Sequence, residues 1–564
     1  MIKERAVRHK AVNGNNNIIS WIAGGVAALA VFLLINYFLL PPWNVKSIEF
    51  WAMVIAVTFV FVFVRYFTML AQCSRYGYKP KKDSLFLIPV VILLLVVIAN
   101  VASAVIFHTD AYSSLLKVED AVFEEDLQES LNTDVIALMD TKSAKMLGGR
   151  EIGTLSNVVS QFDVSDDYTQ IDLNGTPKKV AALNYAGFFK WRNNKKDGIP
   201  GYIIVDPVSM SATYKSCDKG MIYVPSAYFG QNAYRKIRFK YPTAMFGNLH
   251  FEVDESGQPF YVATVYKKTV IFGGTTVKGA IILNPVDGEC EYYDLADIPV
   301  WVDDVYDGDL ICEQYDLYGM YQNGFINSLF GKKGCKQVTK YRGFEEESDD
   351  DAPVSDYGYV SKDGDIWIYT GVTSVNNDSS NIGFLLANER TGEAHYYNIA
   401  GADETSAMAA AEGEVQEKGY QASFPSLINI DGNPTYIMVL KDASGLVKLY
   451  AAVNVEQYNY VTTAATQKEC IAKYRRLMGG EGAEDIKDDT KDDEELEATG
   501  EAVISIKDIK YIDIDGNTYI YLIDSEDNIY RAKAGKHEEM LLLKAGDKVS
   551  ITFAGKEIVS CDKK

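Results

Sequence analysis

The stretch IILNPVDGECEYYDLADIPVWVDDVY, residues 281–306, decides how the rest of the chain is read. Ile281–Leu283 is an apolar strand, and Asn284-Pro285-Val286-Asp287-Gly288 is a turn whose Asp and Gly tolerate positive φ. A second strand ends in Tyr292-Tyr293, and an acid-rich helical start follows. Three further stretches have the same shape: IIVDPVSMSATY (203–214), FLLANERTGEAHYY (384–397) and AAVNVEQYNYVTTA (451–464). Another strand precedes the unit, often after a glycine turn, as in SGQPFYVATVY (256–266) and DGNPTYIMVL (431–440). The pattern predicts an α+β module repeated four times.

Charge is divided unevenly along the 564 residues. Residues 1–107 hold ten Lys/Arg and three Asp/Glu of the chain's 55 and 77, leaving 45 basic against 74 acidic residues beyond them. So acidic a surface repels phosphate backbones, and nucleic acid is not expected as a partner.

Three apolar runs crowd the N-terminal end: 18–40, 48 to just beyond 64, and 85–107. Each is long enough to cross a bilayer as a helix. The first is too long for a signal-peptide core and lacks a small-residue cleavage pattern behind it, so it is expected to stay as a span. Basic residues flank the first run on its N-terminal side (Lys3, Arg5, Arg8, Lys10) and fill the second loop (Arg75, Lys79, Lys81, Lys82). Acids follow the third run. Positive charge marks the cytoplasmic side, which predicts a multi-pass membrane protein with a cytoplasmic N-terminus and a large extracellular C-terminal domain. Trp43 and Trp51 suit the outer interface, and Asn100, deep in the third span, is a candidate helix–helix contact.

Residues 108–180 are read as a connecting helix, to about 131, with a first α+β element that includes a strand at 134–140. Residues 181–343 hold two repeats and 358–479 two more. Between them, 344–357 is an acidic linker. Residues 480–501 form a second, with eleven acids and two lysines from Glu481 to Glu501. From 502 to 564, short strands alternate with turns, which predicts a small β-barrel, SH3- or OB-like. The six cysteines beyond the spans lack a compact framework and are expected to be free, mostly buried thiols.

The repeated unit resembles the PepSY module, a small extracytoplasmic α+β element in which a hairpin with a VDPxTGE-like turn packs on a helix. The matching residues are Asn284-Pro285-Val286-Asp287-Gly288-Glu289, Asn388-Glu389-Arg390-Thr391-Gly392-Glu393 and Val205-Asp206-Pro207, within residues 180–475. The fourth unit lacks the Gly-Glu turn. The resemblance implies non-enzymatic envelope roles such as protease inhibition or assembly support. The whole chain is also similar to three-span membrane proteins of Gram-positive bacteria, a likeness that supplies no activity.

Catalytic motifs are thin. Ser216-Cys217-Asp218-Lys219 satisfies SxxK but lacks KTG or SDN partners and does not open an apolar helix. The five histidines show no HExxH and no cysteine spacing suited to zinc, so neither a metal nor a cofactor is expected. Asp513-Ile514-Asp515-Gly516 is a hairpin turn; a calcium loop needs its glycine two positions later. Acids are abundant around Asp303, Asp304, Asp307, Asp309 and Glu313, which keeps a cell-wall hydrolase with a carboxylate pair as the alternative function.

Two features stand above background. Arg235, Lys236, Arg238 and Lys240 are the densest basic patch of the acidic part. As a strand, 235–241 would offer Lys236, Arg238 and Lys240 on one face as a contact for an anionic surface. Trp191, Trp301 and Trp367 are candidates for stacking on a ligand. The leading expectation is a non-enzymatic, membrane-anchored envelope protein that binds an envelope protein or a wall polymer.

Overall fold

The computed structural model describes residues 2–76, 84–127, 136, 138–339, 357–479, 500–514, 517–525, 528–534, 537, 540, 543–554 and 556–563. Both acidic linkers (344–356 and 480–499 of them) and Lys79, Lys81 and Lys82 lie outside these residues. Two compact units result, residues 1–480 and 481–564.

The first unit begins with α1 (Ile2–Phe38), α2 (Ile48–Tyr76) and α3 (Leu87–Ala102). Over 18–38, 48–72 and 84–102 these helices are long and apolar enough to cross a membrane. Helices α1 and α2 touch closely. The backbone of Gly24 leaves no room for a Cβ against the Phe61 carbonyl, and the Arg65 guanidinium lies 4.5 Å over the Trp21 ring.

Residues 108–127 are not the single helix that their charge pattern predicts. They form α4 (Thr109–Ser113), β1 (Val118–Asp120) and α5 (Phe123–Asp126). Strand β1 is held by tertiary pairing, parallel to 394–396, which no local pattern reveals. The strand predicted at 134–140 is not formed where residues are described (136 and 138–140); 134, 135 and 137 lie outside them. Asp140 instead caps the next helix, accepting from Ser143 N at 2.9 Å.

Four repeats follow, each a helix and then an antiparallel sheet. The first comprises α6 (Thr141–Gly153), α7 (Ser156–Val159), β2 (Phe162–Val164), β3 (Thr169–Asp172), β4 (Pro177–Tyr185), α8 (Phe188–Asn194), β5 (Ile199–Asp206) and β6 (Ser211–Met221). The second has α9 (Ala233–Lys240), β7 (Met245–Val253), β8 (Pro259–Lys268), β9 (Thr275–Leu283) and β10 (Cys290–Asp294). The third has α10 (Gly308–Tyr321), β11 (Lys336–Val338), β12 (Gly358–Lys362), β13 (Asp365–Ser374), β14 (Asn377–Asn388) and β15 (Ala394–Tyr397). The fourth has α11 (Glu404–Glu414), β16 (Gln421–Ala422), β17 (Ser426–Ile430), β18 (Asn433–Lys441), β19 (Val447–Asn454) and β20 (Val461–Ala464), and α12 (Gln467–Met478) closes the series. Repeat boundaries therefore fall earlier than the expected 181 and 358, because each helix belongs to the sheet after it.

All four expected hairpins form, in the register Ile203↔Tyr214, Ile281↔Tyr292, Phe384↔Tyr397 and Ala451↔Thr463. The residue that opens each turn fixes it through its side-chain oxygen. Asp206 accepts from Val208 N and Ser209 N, Asn284 from Val286 N, Asn388 from Arg390 N and Thr391 N, and Asn454 from Gln457 N. Short polar caps likewise start the helices: Asn232, Asp307, Asp403 and Thr466 accept from Arg235 N, Asp309 N, Ser406 N and Glu469 N.

The second, third and fourth turns also receive the chain that leaves the repeat before them. Ile222 N and Tyr223 N donate to the Pro285 carbonyl, Val305 N and Tyr306 N to that of Glu389, and Ala402 N to that of Val455. Gly288 and Gly392 make this docking possible. At φ +77° and +73°, their missing Cβ atoms leave space for the rings of Tyr223 and Tyr306. In the fourth turn Tyr458 stands where the glycine would be, and the incoming strap carries Gly401-Ala402 in place of a tyrosine.

The repeats form neither pairs nor a line, since the first touches all three others. Tyr202 Oη donates to the Gly257 carbonyl of the second at 2.7 Å. Ser361 Oγ of the third donates to Asp172 at 3.2 Å, and Lys441 of the fourth pairs with Asp140 at 2.5 Å.

The second unit is a closed five-stranded barrel, in the order β21 (Gly500–Ile514), β22 (Asn517–Asp524), β23 (Ile529–Lys533), β25 (Glu557–Lys563) and β24 (Lys548–Ala554), with β24 pairing back onto β21. Ile504, Ile506, Ile520, Leu522, Val549 and Ile551 fill it. Cys217, Cys290, Cys335 and Cys470 carry free thiols, and Cys290, Cys335, Cys470 and Cys561 are buried.

Candidate functional sites

Two places gather chemistry: a buried acidic junction among the first three repeats, and a cavity at the foot of the second.

The junction is built on Glu252, near the end of β7 and wholly buried. Its Oε2 accepts from Asp303 N at 2.9 Å and its Oε1 from Asp304 N at 3.2 Å, fixing the bend that leads into α10. Asp303 Oδ2 accepts from Asp172 N at 2.6 Å, and Asp172 takes the Ser361 hydroxyl. His250 stands beside them, Nε2 at 3.0 Å from Glu252 and Nδ1 at 3.9 Å from Asp304. Burial, together with the neighbouring Glu252, raises the Asp303 carboxyl far above its ordinary range. Burial lifts Asp304 to about 6, opposed by His250. Burial alone would lower His250, but Asp304 and Glu252 carry it to about 9. Glu389, buried and ringed by the same acids, is raised well above a normal carboxyl. Lys179, also buried, is lowered to about 8 by desolvation, with Asp140 and Glu389 opposing, and lies 4.7 Å over the Tyr359 ring.

The sequence flagged Asp303 and Asp304 as part of an acid-rich run that could supply a carboxylate pair. It gave no sign that Glu252, His250, Glu389 and Lys179 converge on them, since they come from three repeats. The oxygens of Glu252, and Asp303 Oδ2, are taken up by backbone N–H groups, so this cluster stitches repeats together. Among the described residues no group of three or more His, Cys, Asp or Glu could hold a metal ion.

The basic patch is a helix, α9, and not the alternating strand. Asn232 caps it, and Ala233 and Ile237, one turn apart, face the core. Arg235 Nε donates to the Tyr37 carbonyl at 3.0 Å and its guanidinium lies 4.1 Å over the Tyr37 ring. Arg238, also buried, donates through Nε to the Leu40 carbonyl at 2.9 Å and stacks 4.2 Å over Phe246. These carbonyls end the first span, where a cation completes both the orphaned acceptors and the helix dipole. Lys240 Nζ donates to the Cys290 carbonyl at 2.5 Å, and Lys236 Nζ lies 4.6 Å over Tyr223. Further bonds tie the second repeat to the span ends: Trp43 N to the Pro242 carbonyl at 2.7 Å, Asn44 Nδ2 to Thr243 O at 3.2 Å, and Phe272 N to Ser103 Oγ at 3.1 Å.

The three tryptophans do not come together. Trp191 is buried, donates to Gln231 Oε1 at 2.9 Å and borders a cavity of about 310 Å³ with Tyr228, Phe229 and Lys195. Trp301 packs 4.8 Å from Phe260, and Trp367 is buried between His395 and Lys362. Asn100 lies exposed on α3.

The larger cavity, about 440 Å³, lies where the α1–α2 loop meets the second sheet. Lys46, Lys267, Lys268 and Lys278 line it with Tyr241 and Tyr292. Neither cavity has a carboxylate in its wall.

No family model matches the chain, and no curated protein matches it. Solved structures give only faint likenesses. A levansucrase variant from B. megaterium is 10% identical, covering 77% of this chain and 97% of that one, at a TM-score of 0.18. An exo-1,5-alpha-L-arabinanase from a bovine ruminal metagenomic library is 9% identical, covering 72% and 98%, at a TM-score of 0.16. Neither carries weight for fold or activity.

Proposed function

We propose that the chain is a non-enzymatic, membrane-anchored binding or assembly protein of the cell envelope, with PepSY-like repeats as its rigid body. One observation carries this reading: the second repeat is bonded through Arg235, Arg238, Trp43 and Asn44 to the ends of the spans, so the repeats stand on the membrane as a fixed platform. The charge of the loops supports an outward platform, with the N-terminus inside. Protease shaving of intact, wall-stripped cells tests it, with antibodies to the barrel and to the second loop. Loss of the barrel signal with the loop protected supports the outward domain, and pull-down of envelope partners then follows. A protected barrel overturns the reading.

The carboxylate-pair hydrolase has one observation in its favour, the raised Asp303 beside Glu252. Both are buried and bonded to backbone amides, which leaves no room for a sugar ring between them. Wall hydrolysis by the purified chain that disappears in Asp303→Asn would restore the hydrolase.

A further inference from the structure

We propose that the 440 Å³ cavity at the foot of the second repeat binds the phosphate of an anionic lipid headgroup, drawn from the leaflet that faces the outer domain. The inference rests on the preceding reading only for the membrane anchor; it adds a ligand and a site.

Position is the first argument. Lys46 is two residues before the first residue of α2, and Asn44 and Trp43, in the same loop, are bonded to the second repeat. The cavity wall is thus partly made of the loop that joins two spans, at the depth where headgroups lie. A ligand held here meets span and sheet together.

Charge is the second. Four lysines gather in one wall, while the chain beyond residue 107 carries 74 acids against 45 bases. Lysines that served only packing would find carboxylates easily in such surroundings. Yet none of these four is ion-paired among the described residues. Lys46 Nζ donates to the Lys268 carbonyl at 2.7 Å, and Lys268 Nζ to Thr275 Oγ1 at 2.6 Å. Each ammonium has three N–H donors, so both keep capacity for a phosphate oxygen. Lys278 lies 5.3 Å over the Tyr292 ring, and Lys267 has no polar partner among the described residues.

Shape is the third. Beside the lysines stand Tyr241, Tyr292, Met245 and Val265, an apolar flank suited to a lipid's glycerol and first methylenes. A free inorganic anion has no use for that flank, whereas a lipid's first methylenes bury apolar surface on it.

The test uses the full chain in phosphatidylcholine nanodiscs with and without phosphatidylglycerol, counting retained lipid by native mass spectrometry. Lys267 and Lys278 are exposed, so K267E/K278E should fold; an unchanged unfolding midpoint in pure phosphatidylcholine checks this. K195E/K196E makes the same charge change at the other cavity. The expected result is selective retention of phosphatidylglycerol, weakened roughly tenfold by K267E/K278E and not by K195E/K196E. Equal loss in both double variants would reduce the effect to bulk surface charge and overturn the site, as would retention indifferent to K267E/K278E. Full displacement of the lipid by soluble glycerol phosphate would make the ligand a free phosphate. Lysine-dependent capture of poly(glycerol phosphate) in pure phosphatidylcholine would make it a wall polymer. Either overturns the lipid assignment while leaving the outcome of protease shaving, and hence the platform reading, untouched.

Discussion

Arg238 Nε donates to the carbonyl oxygen of Leu40, 2.9 Å away, across 198 residues of sequence. The same guanidinium reaches the Ala244 carbonyl and stacks on Phe246, so one buried side chain joins the first span, α9 and β7. Arg238→Met should keep the packing and lose the donors. It is expected to destabilise the full chain by about 2–4 kcal/mol, read from the unfolding midpoint in detergent, since hydrogen bonds from charged groups are each worth roughly 1.5–3 kcal/mol. Arg238→Lys should recover less than half, because an ammonium lacks the fixed fork of donors.

Gly392→Ala brings two penalties together. Its φ of +73° disfavours any Cβ, and that Cβ would stand 2.7 Å from the Tyr306 ring. A loss of about 2–4 kcal/mol is expected by urea unfolding. Gly364→Ala is the control. At φ +79° it has nothing within 4 Å, so its cost should be only about 1 kcal/mol. In the double variant Gly392→Ala/Tyr306→Leu the penalties should be markedly less than additive, which identifies the ring as the obstacle.

His250 gives the repeat-bearing unit a pH dependence of definite sign. Its pKa rises from 6.5 unfolded to about 9 folded, so the folded state holds the proton more tightly. The stability this contributes is complete below pH 6.5 and is lost as pH climbs through 9, an effect of roughly 2–3 kcal/mol. Asp304, raised to about 6, works in the same direction at lower pH, losing its contribution from about pH 4 to 6. Urea midpoints at pH 6, 7.5 and 9 should fall steadily in the native chain, and His250→Gln should flatten that decline. An unchanged slope would show that His250 does not hold its proton there.

Glu252→Ala removes the acceptor of two backbone N–H groups at the buried bend before α10. A loss of about 3 kcal/mol or more is expected. Glu252→Gln keeps an oxygen for one N–H and should lie between. Hydrogen exchange should locate the damage at Asp303, Asp304 and the first turn of α10 in the alanine variant.

What the sequence disclosed and what it hid divide along physical lines. Four hairpins were legible because the signal is local: Asp206, Asn284, Asn388 and Asn454 bond to amides two or three residues ahead. The apolar spans were legible for the same reason. Residues 235–241 misled because basic and apolar residues alternating over the six positions 236–241 satisfy a strand on paper, while Asn232 ahead of them caps a helix. The acidic junction could not be seen, since Glu252, Asp303, Glu389 and Lys179 become neighbours only through packing. Nor could β1, whose partner is almost 280 residues away. The lysine-lined cavity was equally hidden, because Lys46 and Lys278 share no local pattern.

The docking of the span ends onto the second repeat has a consequence in time. Synthesis proceeds at roughly 5–20 residues per second, and Arg238 follows Leu40 by 198 residues. For about 10–40 s, then, the first span's terminal carbonyls exist on a nascent chain that has not yet made the cations meant for them. The whole first repeat is synthesised in that interval, before the repeat that carries the attachment. Translation pauses or truncations between residues 102 and 238 therefore leave a chain with its three apolar helices made but without the cations that tie the second repeat to them.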